Sequence, residues 1–599
     1  MARQRLSALS AIVALSLLTA CGGGSGDSGS GSGTLPPPPP PQGPTGAFKS
    51  EEETALFLSQ AAFGPRGRDI ETYTGTSASQ WFLDQLDAPP SYYTERFDAH
   101  MALVSGDEYS GFRVASPTIL FWENAISSPD QLRQRVAYAL SQILVVSASS
   151  GELQGRPAGM VYYQDILIRN AFGNYRDLLE DVTYSPAMGY YLTYLGSERE
   201  DPETGRMPDE NYARELLQLF TIGVVETDDR GRVVTGGNGQ PRELFDNDDI
   251  TGLARVFTGL ELDADGYSGP EWEAAARRPL RVNSDAHEPG PKSFLGLTIP
   301  ANTSAEASIE QALDHIVAQP TTGPFLARQL IQRLVTSAPS PAYVGRVANA
   351  FDQGRYQLPN AVSVGTGRRG DLSATVAAVL FDPEARDVEA ARSNTRFGKV
   401  REPVLRIAQW ARAFDIDGDR AEYAFEFYNT SSTRKLTQHP YRAPSVFNFY
   451  RPGYVAPGTQ TGAEGLTMPE LQIFTTASTP GYFNFAIDLV RQDLDDRDIE
   501  YIEDKLARFR VDLPAEPGVN AFVARYETEL ALADDAQALV DHLDLLLTAS
   551  TLTEPTRDLI IEHIQAAIDN DDGEAEDLRD RVQEAVLLVM ASPEYLVQR

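Results

Sequence analysis

Apolar residues recur at helical spacing along most of the chain between Phe48 and Arg599. The clearest segment begins at Ser128-Pro129-Asp130-Gln131, where a serine N-cap, a proline at the first helical position and a capping-box glutamine are typical of a helix start. One face of the helix that follows carries Leu132, Val136, Leu140 and Ile143. The same helical period of apolar residues recurs in residues 325–335, 400–414, 536–547 and 582–590. Strict alternation of apolar and polar residues, which is typical of β-strands, is scarce, so the pattern predicts a mainly α fold.

Few segments depart from this pattern. Residues 231–234, next to the glycine-rich stretch 236–239, predict a small β-hairpin insertion between two helices. A chain of 599 residues is longer than the roughly 250–300 residues at which a single core stops growing. We therefore expect a large multi-helix assembly, built either from several folding units or from layers of helices. Residues 48–490 are predicted to form the main α-helical domain, and residues 491–599 a C-terminal helical region packed on it.

The first 20 residues resemble an export signal. Arg3 and Arg5 precede an apolar run, Leu6 to Leu18, that is shorter than the ~20 residues a spanning helix needs. The run ends in Leu-Thr-Ala-Cys, which resembles the lipobox of bacterial lipoproteins, and Cys21 is the only cysteine of the chain. By this resemblance the signal peptide, residues 1–20, is removed and Cys21 carries acyl chains. The alternative is a plain secretory signal with a chance cysteine.

Residues 21–47 predict a tether between this lipid anchor and the folded body. Glycine and serine dominate residues 22–33, and six prolines follow at residues 36–41. The first part is typical of a flexible coil and the second of a semi-rigid extended spacer. We therefore expect an exported lipoprotein of the cell envelope that contacts a membrane only through its acylated N-terminus. Gly22, directly after the cysteine, favours the outer membrane if the host is diderm.

Charge and composition restrict the partners and cofactors. The 85 acidic residues against 51 basic ones give a net charge of −34, which repels phosphate backbones, so we expect no nucleic-acid partner. One cysteine excludes an internal disulfide and a cysteine-rich metal site, and six histidines leave room only for a sparse imidazole site. No cofactor is expected, with calcium left open.

The most distinctive polar cluster lies in residues 208–220. At 100° per residue one face is apolar, and the other carries Asn211, Arg214, Glu215 and Gln218. Arg214 can bind a carboxylate through its planar fork, so this face could bind a ligand or organise a buried network. The alternative is a solvated face with ordinary pairs of residues three and four apart.

Two later segments carry further candidates. In residues 245–257, Asp246 and Asp249 are typical of a helix cap, with a cation site as the alternative, and Arg255 is predicted to point outward. Residues 287–296 are rich in proline and glycine, so His287 and Lys292 are predicted to be displayed on a loop. His287 could act as a general base and Lys292 could hold an anion. The sequence contains neither a Gly-x-Ser-x-Gly nor a His-Glu-x-x-His motif, so no named hydrolase mechanism follows.

Two loops allow a functional and a structural interpretation. Asp415, Asp417, Asp419 and Glu426 have the spacing of positions 1, 3, 5 and 12 of a calcium-binding EF-hand loop, but Arg420 replaces the glycine of position 6. The alternative is a solvated acidic loop. Residues 439–454 interleave aromatic side chains with arginine and hydroxyl donors, which could stack against sugar rings or simply cover a helical core.

Taken in order, these stretches resemble a bacterial family known as domain of unknown function 1800. The resemblance rests on residues 209–216, 255–259, 287–296, 443–450 and 592–595, and it spans roughly residues 48–599. Glu288 stands where members commonly have Asp, and Leu260 where they commonly have Trp. The resemblance implies a largely α-helical exported protein without an established reaction, often encoded beside an exported protein that resembles sulfatases and phosphatases. It also implies one shared polar site, formed by Asn211, Arg214, Glu215, Arg255, His287 and Lys292.

Two functional hypotheses follow from the sequence. The first is a lipid-anchored envelope protein that binds an extracytoplasmic protein or a polymer such as a glycan, or helps to assemble it. The alternative is an extracytoplasmic hydrolase of an envelope or environmental polymer, with His287 as the base and Arg214 or Lys292 holding an anion. A structural surface role is a third. An enzyme requires these polar residues to meet in a concave pocket, whereas a binding protein requires an exposed patch.

Overall fold

The computed structural model confirms a mainly α fold with small β insertions. It describes residues 46–104, 111–264, 270–416, 426–492, 503–504, 506–508, 510, 522–569 and 575–599. Helices account for 54% of the chain, and the sheets are small, two-stranded and antiparallel. Cys21, nearly all of the tether, Asp417 and Asp419 lie outside the described residues.

The first group of helices precedes the distinctive polar segment. These helices are α1 Glu51–Ala61, α2 Gly67–Tyr73, α3 Ala78–Asp87, α4 Tyr93–Ala102, α5 Gly111–Ser127, α6 Gln131–Ser141, α7 Gly151–Gln154, α8 Pro157–Arg169, α9 Tyr175–Thr183 and α10 Pro186–Tyr191. The helix α6 differs from its predicted start. Ser128 does not cap α6, because its hydroxyl donates to Asn124 O at 2.7 Å and so closes the end of α5. Asp130 occupies the N-cap position instead.

The middle of the chain combines helices with most of the short strands. The helices are α11 Asn211–Glu215, a π-helix Leu216–Thr221, α12 Asn247–Ala254, a 3₁₀ turn Arg255–Phe257, α13 Pro270–Ala275, α14 Ala305–Val317, α15 Thr322–Leu334 and α16 Pro341–Gln353. The strands are β1 Leu260–Glu261, β2 Arg281–Val282, β3 Lys292–Phe294, β4 Leu297–Ile299, β5 Tyr356–Gln357 and β6 Ser363–Val364. Consecutive strands pair in antiparallel register, for example Leu260 with Val282 and Lys292 with Ile299.

The last group of elements closes the fold. Its members are α17 Leu372–Leu380, α18 Pro383–Arg386, α19 Val388–Ser393, β7 Lys399–Val400, α20 Pro403–Ala413, α21 Gln460–Ala463, a 3₁₀ turn Pro469–Gln472, α22 Ser478–Val490, α23 Glu527–Ala531, α24 Ala536–Thr548, α25 Glu554–Asp569, α26 Ala575–Ala591, α27 Pro593–Leu596 and β8 Val597–Gln598. Strand β8 pairs with β7, so Gln598 lies opposite Lys399.

The predicted hairpin insertion is present between the π-helix and α12. Antiparallel bridges join Val225 to Glu243, Thr227 to Val233 and Thr235 to Pro241. Gly231 adopts a φ of +69°, which suits glycine at the turn. Arg328 of α15 donates to Gly231 O at 2.6 Å and holds the hairpin against the helical body.

Buried side chains from Phe48 to Tyr595 form one contiguous cluster. Aromatic contacts join distant parts of the chain, such as Phe57 with Phe381 at a ring-centroid distance of 5.6 Å and Trp122 with Phe427 at 4.1 Å. Helix α1 also packs against α24. Helices that are far apart in the sequence therefore share one buried core. Among the described residues, no helix is both long and apolar enough to cross a bilayer.

Candidate functional site

Helix α12 organises the polar region that the sequence singled out. Asp246 Oδ1 accepts from the backbone N–H groups of Asp248 and Asp249 at 2.9 and 3.1 Å, and Asp249 Oδ2 accepts from Asp246 N at 3.1 Å. The predicted capping box is therefore present. Asp249 Oδ1 also accepts from Leu295 N at 2.6 Å, which ties the start of α12 to the turn between β3 and β4.

Two glycines let the backbone of neighbouring segments approach α12. A Cβ on Gly252 would collide with Ser293 O in β3. Gly259 has a φ of +83°, and a Cβ there would lie 2.6 Å from Asn283 O and 3.1 Å from His287 N. The strand that carries Lys292 and the loop that carries His287 are thus packed directly against α12 and the Arg255 turn that follows it.

His287 is a buried, neutral imidazole. It is only 6% exposed, and its Nδ1 lies 3.0 Å from Thr258 O, which can only accept, so Nδ1 carries the proton. Burial lowers the pKa of His287, although the hydrogen bond to Thr258 opposes this. Nε2 is therefore an unprotonated acceptor, and it is enclosed without a partner in the part of the chain that the structure describes. The predicted display of His287 on an open loop is wrong, because Gly259 and Thr258 draw it inward.

Lys292 is also enclosed rather than displayed. Its side chain is fully buried in β3, and Nζ lies 3.5 Å from Gly290 O. Burial lowers the pKa of Lys292, and the nearby Glu288 carboxylate acts in the opposite direction. Glu288 accepts from Gly290 N at 2.9 Å and from Glu200 N at 3.2 Å, so it holds the loop as well as balancing the lysine charge.

Arg255 joins these two residues to the surface. Its Nη2 donates to Glu200 Oε2 at 2.7 Å, and its side chain is about one-third exposed. Thr258, three residues later, donates to Arg255 O at 2.9 Å and accepts from Glu288 N at 2.8 Å. We call Glu200, Arg255, Thr258, His287, Glu288 and Lys292 the His287 cluster.

Asn211 and Arg214 lie on the adjoining surface. Glu210 links them to α12, because Oε2 lies 3.2 Å from Arg214 Nη2 while Oε1 accepts from Thr251 Oγ1 at 2.8 Å. Thr251 is four residues before Arg255, on the same side of the helix. Asn211 Nδ2 donates to Thr193 Oγ1 at 2.7 Å. We call Thr193, Asp209, Glu210, Asn211 and Arg214 the Asn211 surface.

Glu215 interacts with the Asn211 surface through the charge of Arg214, which acts to lower its pKa. Its Oε2 is buried without a hydrogen-bond partner among the described residues, and burial raises its pKa. Together with burial, Glu215 raises the pKa of Tyr191 to about 12. The predicted single helix changes to a π-helix at Leu216, and the wider turn is closed by Thr221 Oγ1 donating to Leu216 O. The six predicted residues therefore divide into the buried His287 and Lys292 with the partly exposed Arg255 beside them, the accessible pair Asn211 and Arg214, and Glu215, which hydrogen-bonds to neither group among the described residues.

A second polar cluster was missed in the sequence. Glu402 is fully buried, and its Oε2 accepts from Gln142 Nε2 at 2.8 Å, from Tyr450 Oη at 3.4 Å and from Gln438 Nε2. Two buried arginines, Arg135 and Arg333, share this carboxylate as a nearby negative charge. The one available signal was arginine and glutamine close to the apolar face of the predicted α6, where every residue except Arg133 proves to be buried. We call Glu402, Gln142, Gln438, Tyr450, Arg135 and Arg333 the Glu402 network.

The aromatic loop 439–454 belongs to this interior. His439, Asn448 and Tyr450 are buried, and Asn448 lines a cavity of about 10 Å³ together with Tyr138 and Gln142. That volume holds about one water molecule and no sugar ring. Of the two interpretations of the loop, the structure favours the one in which it covers the helical core.

A comparison with known protein families shows to which family the chain belongs. The family model described as protein of unknown function (DUF1800) matches residues 56–597. The chain belongs to this family. No curated protein and no solved structure matches it. The His287 cluster, the Asn211 surface and the Glu402 network of this DUF1800 protein all fall inside the matched range, whereas Cys21 and the tether precede it.

The predicted calcium loop is only partly described. Asp415 Oδ1 lies 3.3 Å from Arg66 Nε and 3.2 Å from Arg68 Nη2, so two arginines already balance its charge. Asp417 and Asp419 lie outside the described residues, and Glu426 begins the next described segment. Within the described ranges, no group of three or more histidine, cysteine or acidic side chains is arranged to hold a metal ion.

Proposed function

We propose that this DUF1800 protein is an exported lipoprotein of the cell envelope whose helical body binds an extracytoplasmic protein or polymer partner, or helps to assemble it. The sequence Leu18-Thr19-Ala20-Cys21, followed by a glycine-, serine- and proline-rich tether, carries the proposal. Acyl chains on Cys21 would anchor the protein, in the outer membrane if the host is diderm. The tether would let the body reach a partner at a distance from the lipid.

The exposed polar surface supports partner binding better than catalysis. Arg214 and Asn211 are accessible, and both are held in place by neighbours at 3.2 and 2.7 Å. Prearranged, solvent-accessible charged and amide groups suit the polar rim of a protein or polymer interface. The co-encoded exported protein expected from the family resemblance is the first partner to test, and an envelope glycan is the second.

Anchoring is tested by replacing the cysteine. We expect the wild-type protein to incorporate a clickable fatty acid and to sediment with membranes. Cys21→Ala should lose both properties, whereas Ser25→Ala in the same tether should keep them. Membrane retention of an unlabelled Cys21→Ala protein would contradict the anchor.

Partner binding is tested by site-specific photocrosslinking in the intact envelope. A photoreactive residue at position 211 should give a discrete adduct, and the same residue at Leu559, exposed on α25, should not. Arg214→Glu should weaken the adduct because it reverses one charge of the Asn211 surface. Identical adducts from both positions, or none, would contradict the assignment of this surface.

Hydrolysis of an extracytoplasmic polymer is the second candidate. One observation favours it: His287 is neutral with an unprotonated Nε2, the state required of a general base. Against it, Nε2 and Lys292 are both enclosed, so a polymer would reach them only after the loop 287–296 had moved. If His287→Gln protein keeps the wild-type Tm, it should bind its partner unchanged if the first function is correct, and lose turnover of envelope polymers if the second is.

A further inference from the structure

The interior beside the C-terminal strand contains two arginines that form no salt bridge with a carboxylate of the described residues. Arg401 is 4% exposed and Arg406 is 1% exposed. Arg401 donates through Nε and Nη2 to Tyr595 O, and its guanidinium lies 4.2 Å from the centre of the Tyr595 ring. Burial lowers the pKa of Arg401 to about 10, and the positive charge of Arg406 acts in the same direction. Two like charges are thus buried side by side.

Aromatic rings cover the guanidinium of Arg406. The ring centres of Phe474 and Tyr482 lie 4.7 and 5.0 Å from its central carbon. Such contacts stabilise a cation over its planar face but leave the hydrogen-bond donors at its edge unused. Arg406 Nε has no acceptor in the described part of the chain. The Tyr482 hydroxyl, in a side chain that is 2% exposed, interacts with the Arg406 guanidinium, but its own proton has no acceptor there.

The Glu402 carboxylate does not neutralise the positive charges of Arg401 and Arg406. It precedes α20 and favours the charged form of Arg406 less than Tyr482 and Tyr595 do, and its Oε2 accepts from Gln142, Gln438 and Tyr450. The same carboxylate also favours the charged forms of Arg135 and Arg333. Buried polar donors are nearly always paired, and buried charges are nearly always balanced, so the edge of Arg406 requires an acceptor of negative charge.

We propose that Arg401, Arg406 and Tyr482 form a buried binding site for a small monovalent inorganic anion of the size of chloride. Arg406 Nε and the Tyr482 hydroxyl supply hydrogen bonds, and the two guanidinium groups supply the charge. The rings of Phe474, Tyr482 and Tyr595 crowd the guanidinium faces, so the ligand reaches Arg406 along its edge. This restricts the site to a compact ion and excludes phosphate esters and larger carboxylates.

The site predicts that chloride stabilises the fold in a saturable way. The full chain is unfolded thermally in mixtures of sodium chloride and sodium gluconate at constant ionic strength. A ligand that binds only the folded state raises Tm with its concentration, and gluconate is too large to substitute. We expect Tm to rise with chloride and then to level off. Equal Tm values across the whole series would overturn the proposal.

Matched variants separate binding from general stability. Arg406→Met should abolish the chloride dependence. Arg412→Met is the control, because Arg412 is equally buried but donates to Gly64 O and Ile126 O at 2.7 and 2.8 Å. It should lower Tm and keep the chloride dependence. If both variants lose the dependence, or if neither does, the site is not at Arg406.

A milder variant and a direct measurement remain informative if Arg406→Met does not fold. Tyr482→Phe removes one hydroxyl and should raise the half-saturating chloride concentration about tenfold, the usual effect of one hydrogen bond to a charged group. Crystals soaked in sodium bromide should show an anomalous peak within hydrogen-bond distance of Arg406 Nε and Tyr482 Oη. Bromide elsewhere only, or an unchanged half-saturation in Tyr482→Phe, would count against the site.

Discussion

Protonation of His439 is predicted to destabilise the protein in mild acid. The imidazole is almost completely buried, and burial lowers its pKa to about 3, with Arg442 and Lys435 acting in the same direction. In the neutral ring Nδ1 accepts from the backbone N–H of Thr430 at 3.3 Å, and Thr430 Oγ1 lies beside it at 3.0 Å. Nε2 then carries the proton and faces Thr118 Oγ1 at 3.4 Å. A second proton would therefore meet a donor and two nearby positive charges.

The sign and size of the effect follow from linkage. The unfolded histidine has a pKa of about 6.5, so below that pH the unfolded state binds a proton that the folded state does not. Stability is then lost as the pH falls from about 6.5 toward the folded pKa. Between pH 7 and pH 5 the loss from His439 alone is about 2 kcal/mol, because the folded group remains neutral throughout this window.

The assay is urea unfolding of wild type and His439→Asn at pH 7 and pH 5. Asparagine keeps an acceptor near Thr430 N–H, and it cannot ionise. We expect the variant to be less stable than wild type at pH 7 but to lose about 2 kcal/mol less on acidification. His439→Gln should flatten the dependence equally. The burial argument would be refuted if both variants retained the full wild-type dependence on pH.

Three further changes test other parts of the structure. Glu402→Ala should lower the free energy of unfolding in urea by about 3–5 kcal/mol, because it leaves buried arginines without their carboxylate, whereas Glu226→Ala at an exposed ion pair should cost less than about 1 kcal/mol. Gly252→Ala should cost about 1–3 kcal/mol in the same measurement, since α12 must move away from Ser293 O; an unchanged stability would contradict the close packing. Millimolar calcium should leave Tm unchanged because Asp415 is already paired with two arginines, and a saturable rise that Asp417→Asn abolishes would instead establish the calcium loop.

Features governed by neighbours in sequence could be predicted. The capping box of α12 depends on Asp246 and Asp249, three residues apart, and the apolar positions Ile250 and Leu253 follow helical spacing. The hairpin at 225–243 follows from glycine-rich turn chemistry. In each case the deciding interaction lies within one turn or one hairpin, so the local pattern contains the necessary information.

Features governed by distant partners could not be predicted. Ser128 looks like an N-cap, but the chain uses its hydroxyl to end the preceding helix. The loop that carries His287 looks exposed because it is rich in proline and glycine, yet Gly259 lets it fold against α12. Gln142 and Glu402 are 260 residues apart, so only the tertiary fold brings this amide and carboxylate together.

The location of the motif residues changes how the function should be pursued. His287, Lys292, Glu402 and Arg406 are all buried, so their loss would lower stability before it revealed any role in binding or catalysis. Asn211 and Arg214, by contrast, are accessible and make few contacts, and their substitution should leave the fold intact. A loss of partner binding in Arg214→Glu with an unchanged Tm would therefore be interpretable, whereas the same loss in a variant of the buried cluster would not. The exposed pair consequently provides the sharper test of what this DUF1800 protein binds.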